Sequence, residues 1–189
     1  MRQFFLIILF SFLAIAEIQA QIADWIKTQT KENKMEIGFS FESRNSFLLE
    51  QSNKLNGLRL HFEFGEYYNA GIGYYDNGFL QKSKTNLSFI GLFQEFLLFK
   101  NKKGAGNLSM MMDFGEYGPT ENLDPKAFVA YEVMLGGQLN FLKYFFGGAA
   151  VGYRLGLINP HRADYKISSP LYQLKVGLHF SEIARSLKK

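Results

Sequence analysis

The chain has no cysteine among its 189 residues. That excludes disulfide staples and thiolate metal sites. Its three histidines, at 61, 161 and 179, share no short ligand spacing, so no metal site is expected. Four prolines are too few for a Pro-rich disordered chain. Beyond the first twenty residues no apolar run is long enough for a membrane helix. The formal net charge of +4 is too diffuse to argue for nucleic acid as a partner. Gly104-Ala105-Gly106 opens an alternating segment rather than a helix, so it is no phosphate loop, and no cofactor is implied. What the chain does have is aromatic side chains, 20 Phe and 10 Tyr, together with 18 Gly.

Residues 1–20, MRQFFLIILFSFLAIAEIQA, join a positive Arg2 to an apolar run and end on a small residue. This reads as a secretory signal peptide cleaved before Gln21. Residues 21–34, QIADWIKTQTKENK, form a lead in which Ile22, Trp25 and Ile26 are spaced for about one helical turn.

From Met35 onward the dominant period is two, the signature of strands. In MEIGFSFE, Ile37, Phe39 and Phe41 alternate with Glu36, Gly38, Ser40 and Glu42. LRLHFEF, AGIGYY, NLSMMMDF, VAYEVMLGGQLNF, KYFFGGAAVGYRLGLI and YQLKVGLHF behave in the same way. NLSFIGLFQEFLLF, residues 86–99, is apolar on both faces. There Glu95 is expected to turn away from lipid, because a charge costs more in hydrocarbon than the amide of Gln94. Eight strands result. Short connections near 65–69, 100–104 and 142–144 alternate with longer ones near 43–56, 77–85, 119–126 and 159–169. Short turns at one end and longer loops at the other fit an up-and-down barrel.

One alternate set is greasy and nearly unbroken. The other is largely Gly, Ala, Ser, Asn and Gln with few charges. A soluble barrel would scatter lysines and glutamates over its outer face. Small residues suit a crowded lumen, and a continuous greasy face suits lipid. Closure would satisfy every backbone group in hydrocarbon. The expected fold is therefore all-β, an eight-stranded antiparallel up-and-down transmembrane β-barrel over residues 35–180, with 181–189 as a periplasmic tail able to extend a short basic helix. The charged or polar lumen set is Arg59, His61, Glu63, Glu132, Arg154 and Lys175. Phe64, Phe141, Phe145 and Phe180 on the greasy face, beside the short turns, predict one aromatic girdle. Tyr74, Tyr131, Tyr153 and Tyr172, towards the other ends, predict a second.

Register follows from parity, because a slip of one residue would turn a whole strand inside out. A three-residue turn at 142–144 pairs Phe141 with Phe145 and sets Glu132 opposite Arg154. Pairing Phe64 with Ala70 sets Glu63 against Gly71 and His61 against Gly73.

With these features the sequence resembles the small outer-membrane β-barrel superfamily, which includes the OmpA transmembrane-domain, OmpX and OmpW types. The resemblance covers Met35 to Phe180. It rests on the signal peptide, the strand rhythm, the girdles and the last strand, LYQLKVGLHF. It implies a bacterial outer-membrane location and an aromatic, here Phe180, that ends the last strand for the insertion machinery. The departure is that Ser181–Lys189 follow. An architecture-level resemblance transfers no activity.

The leading expectation is a non-enzymatic membrane protein: structural, adhesive, or a subunit of an envelope complex. Outer-membrane lipid and lipopolysaccharide are its expected surroundings. His161, Arg162 and Lys166 of the last long loop are positioned to meet lipopolysaccharide phosphates. One alternative is a narrow conduit for small or hydrophobic solutes. Another is a lipid A-modifying hydrolase using His179-Phe180-Ser181, the chain's His-x-Ser pair, with Glu182 as the nearest acid.

Overall fold

The computed structural model describes residues 36–48, 51–65, 67–78, 85–119, 126–141, 144–158 and 167–187. The proposed signal peptide, the lead at 21–34, the loop at 120–125 and the basic loop residues His161, Arg162 and Lys166 lie outside the described residues.

Eight strands follow one another: β1 (Glu36–Leu48), β2 (Gln51–Phe64), β3 (Tyr68–Asp76), β4 (Thr85–Asn101), β5 (Gly104–Pro119), β6 (Lys126–Asn140), β7 (Phe145–Ile158) and β8 (Ser169–His179). Each pairs antiparallel with its chain neighbours, and β1 pairs with β8 to close the barrel. Closure removes the two sheet edges that an open sheet would leave. A short helix, α1 (Phe180–Leu187), continues directly from β8. We call the end where β1 begins and β8 finishes the terminal end, and the opposite one the distal end.

The alternation seen in the sequence becomes an inside and an outside. Leu135 is 56% exposed and Val151 64%, whereas Glu132 and Arg154 on the same two strands are 0% exposed. A greasy exterior around a charged interior inverts the rule for water-soluble proteins and matches a barrel surrounded by hydrocarbon. The lumen is narrow enough that rings lie across the backbone of neighbouring strands. A Cβ at Gly57 would overlap the Tyr75 ring, and one at Gly38 would overlap His61. Glycine therefore makes room for the side chains that fill the interior.

Three readings of the sequence are corrected. Residues 43–56, expected as a long loop, belong mostly to β1 and β2, which pair as far as Leu48 with Gln51. Ser43, Asn45 and Lys54 keep the outward face polar there, so no greasy alternation announced a strand. The β2–β3 register lies two residues from the expected one: Phe62 faces Ala70, Glu63 faces Asn69 and His61 faces Gly71. The turn is tighter because Gly65 takes a left-handed conformation, φ 67°, which lets Phe64 pair directly with Tyr68. An even shift leaves every side chain on its face. Lastly, Phe180 opens α1 instead of ending β8, which stops at His179.

The β6–β7 register has Glu132 opposite Arg154 and Asn140 opposite Phe146. The rings of Phe141 and Phe145 stack at 6.4 Å just beyond.

Candidate functional site

Every second residue of a small barrel points inward, so the lumen collects one side chain from each strand at each level. In the terminal half and the middle many of those side chains are charged, set among buried rings such as Phe93 and Phe146. Lys175 Nζ lies 3.5 Å from Glu95 Oε2, and Arg59 Nη1 lies 3.9 Å from the same oxygen. Arg59 Nη1 donates to Glu42 Oε1 at 2.8 Å. Arg44 Nη2 donates to Glu42 Oε2 at 2.9 Å. Arg44 Nη1 donates to Glu132, and Arg154 Nε donates to Glu132 Oε1 at 2.7 Å. Arg154 Nε also lies 3.4 Å from Asp113 Oδ2.

Along its length this is one chain of alternating sign: Lys175, Glu95, Arg59, Glu42, Arg44, Glu132, Arg154, Asp113. Tyr75 joins it, donating to Glu42 Oε2 at 2.6 Å and accepting from Arg44 Nη2 at 2.8 Å. With Tyr75 from β3, all eight strands contribute a member. A buried charge is tolerated when oppositely charged and hydrogen-bonded groups surround it. Here each internal member of the chain has an opposite charge on both sides.

Aromatic faces complete the environment of the guanidiniums. Arg59 lies 3.4 Å above the Phe93 ring, Arg44 4.1 Å from Tyr75 and Arg154 4.8 Å from Phe89. Such contacts strengthen when water is excluded.

At the terminal mouth a second group gathers around Glu63. Its Oε1 lies 3.1 Å from His179 Nδ1 and 3.6 Å from His61 Nε2. Lys100 Nζ is 3.6 Å from its Oε2 and remains partly in solvent. Between this group and the chain of charges lies a cavity of about 20 Å³, lined by Arg59, His61, Glu95 and Lys175 among others. That volume holds about one water.

The distal half of the lumen is built differently. Tyr75 and Phe89 stack at 4.9 Å, and Phe128 meets Phe89 and Tyr117 edge-on at 6.1 Å each. Leu55, Leu87 and Ile167 are buried with them in one cluster. Together they form an apolar plug across the barrel.

All six expected lumen residues lie inside. Arg59, Glu132, Arg154 and Lys175 enter the alternating chain, while His61 and Glu63 sit at the mouth. Glu95 faces inward and joins two cations. Sequence reasoning missed Arg44, Glu42, Asp113 and Tyr75 as members. Glu42, Asp113 and Tyr75 were legible from parity, because they share an alternate set with residues assigned inward. Arg44 was hidden in the supposed loop. Of the aromatic residues, Tyr74, Tyr153, Tyr172, Phe141, Phe145 and Phe180 are exposed, and Phe64 and Tyr131 are half-buried.

No family model and no curated protein matches the chain. Among solved structures it is similar to Neisserial surface protein A, at 11% identity and a TM-score of 0.54, over 77% of this chain and 96% of that one. It is also similar to Ail, the attachment invasion locus protein of Yersinia pestis, at 13% identity and a TM-score of 0.46, over 76% of this chain and 96% of that one. At such identity the likeness to Neisserial surface protein A is one of fold. The chain has the closed, eight-stranded, up-and-down architecture of the small outer-membrane barrels.

Proposed function

We propose that the chain is an integral protein of the bacterial outer membrane, without catalytic activity, whose barrel is a closed scaffold for a structural or adhesive role or for an envelope complex. The observation that carries this reading is the filling of the lumen. A lattice of ion pairs, completed by the Tyr75 hydroxyl so that every strand contributes, occupies the terminal half and the middle, and an apolar plug crosses the distal half. A conduit needs a continuous wet path, whereas the cavity below the lattice has room for about one water. The exterior supports the location, since an apolar surface of this extent belongs in lipid. We read the Phe and Tyr sets as girdles at the two membrane boundaries, and lipopolysaccharide as the lipid around the distal end.

The direct test is conductance in planar bilayers. The closed-scaffold reading expects no conductance steps from the wild-type protein. Steps that change on Arg154→Ala or Glu132→Ala would replace it with the conduit reading. Against a hydrolase stands the engagement of His179, whose ring meets Glu63 and packs 4.9 Å from Phe146 in the lumen, away from the lipid-facing surface. The lipid A mass spectrum of cells with and without the protein should therefore be the same, and Ser181→Ala should leave it unaltered.

A further inference from the structure

Helix α1 is too short to be stable by itself in water. It follows β8 without a break and packs against β1. Its sequence, FSEIARSL, spaces Phe180, Ile183, Ala184 and Leu187 at the i, i+3, i+4, i+7 positions of one face, and Ser181, Glu182, Arg185 and Ser186 at the others.

Three features set the level at which this helix lies. The Phe180 ring sits 6.2 Å from that of Phe39, a residue of the greasy alternate set, so α1 leaves the barrel on its outside and not into the lumen. Phe180 is nonetheless 42% exposed, and Ala184 is also exposed, so β1 does not cover the apolar face. At the same end of the barrel Phe99, Phe141 and Phe145 are exposed on the exterior, and the exposed Lys102 and Lys103 lie in the turn after β4. Apolar rings just inside a basic rim are what the boundary between acyl chains and headgroups requires.

We propose that α1 is an in-plane membrane anchor whose partner is the anionic phospholipid surface at the terminal rim. Its apolar face continues the lipid-facing belt of the barrel outward along the leaflet, and the exposed Lys102 and Lys103 of the rim at that end meet phosphate headgroups. An interfacial helix of this kind buries its apolar face at the headgroup–acyl boundary, and its binding strengthens with anionic lipid. This inference rests on the membrane reading above, and the experiment separates the two.

The test uses the full mature chain in a Trp25→Phe background, refolded into phosphatidylcholine vesicles with and without phosphatidylglycerol. Phe180→Trp supplies a helix probe that reports on α1. Val151→Trp, in a separate variant, supplies a wall probe that reports on the barrel exterior. The expected result is blue-shifted emission from the helix probe. Lipids brominated high on the acyl chain should quench it about twofold more than lipids brominated near the chain end, and phosphatidylglycerol should strengthen the quenching. Adding Ile183→Asp should reduce quenching of the helix probe at least about twofold while leaving the wall probe unchanged. A lipid-quenched wall probe beside a water-exposed helix probe, or a helix probe indifferent to Ile183→Asp, overturns the anchor alone. A wall probe that no lipid quenches overturns the membrane reading as well.

Discussion

The two halves of the lumen fill the same tube by opposite means. The distal half relies mainly on rings and aliphatic side chains, which pack by shape and need no particular partner. The terminal half and the middle use charges, each of which is tolerable only while its neighbours stay in place. The difference teaches where specificity resides. An apolar plug accepts exchange at modest cost if volume is kept. A lattice of alternating charge accepts almost none, because deleting one member strands the two beside it. Since the lattice draws on all eight strands, a slip in one strand's register would misplace a charge or, in β3, the Tyr75 hydroxyl. That makes the lattice a device for fixing register and closure as much as a source of stability.

Glu132→Ala should break this contrast most sharply. It removes the carboxylate that holds both Arg44 and Arg154, each fully buried. A loss of about 3–5 kcal/mol is expected, readable by urea unfolding in vesicles and by mobility on unboiled gels. The double variant Glu132→Ala with Arg154→Ala should lose less than the two single losses combined, because each deletion relieves part of the other's penalty.

Phe89→Ala, at the centre of the plug, should come next, at about 3 kcal/mol from lost contacts and the cavity left behind. Phe89 also lies under the Arg154 guanidinium, so a measured loss well above that figure would mean that plug and lattice are one cooperative unit. Phe128→Leu, which keeps most of the volume, should cost under about 1.5 kcal/mol by the same assay. A large loss there would show that the plug is as exacting as the lattice.

Gly57→Ala probes the seam between the halves. Its added methyl would press on Tyr75, which stacks in the plug and also donates to Glu42. An overpacking loss of about 2 kcal/mol is expected. Adding Tyr75→Leu should relieve only the part of that loss due to the ring, because the methyl would still press on the Tyr74 backbone carbonyl oxygen.

Much of this was legible in the sequence, and the part that was not has a physical cause. Alternation is visible only where one face must be greasy, which is why β6 and β7 could be placed and even registered from Phe141 and Phe145. Where β1 and β2 run through Ser43–Asn45 and Lys54, the outward face is polar and the signal vanishes. Arg44, the residue that joins Glu42 to Glu132, sits in that silent stretch. The β2–β3 register was missed by two because it hangs on the backbone conformation of Gly65, which composition does not reveal. Glu95 could be turned inward on desolvation cost alone. Its partners Lys175 and Arg59, on strands distant in sequence, emerge only when the sheet closes.

Lys100 offers the smallest effect and the most instructive one. It pairs with a carboxylate as Arg154 does, but at the mouth, with its side chain 38% exposed. Water already solvates the ammonium, and the pair is screened by salt, so the contribution of such a contact is about 0–1 kcal/mol. Glu63 also keeps His179 and His61 beside it when Lys100 is removed. Lys100→Ala should therefore shift the urea midpoint little, and the shift should shrink further at high salt. The Glu132→Ala loss should barely respond to salt, because the deep part of the lattice is sealed from ions. If both losses proved equally sensitive to salt, the middle of the lumen would be wet, and the closed-scaffold reading would yield to the conduit.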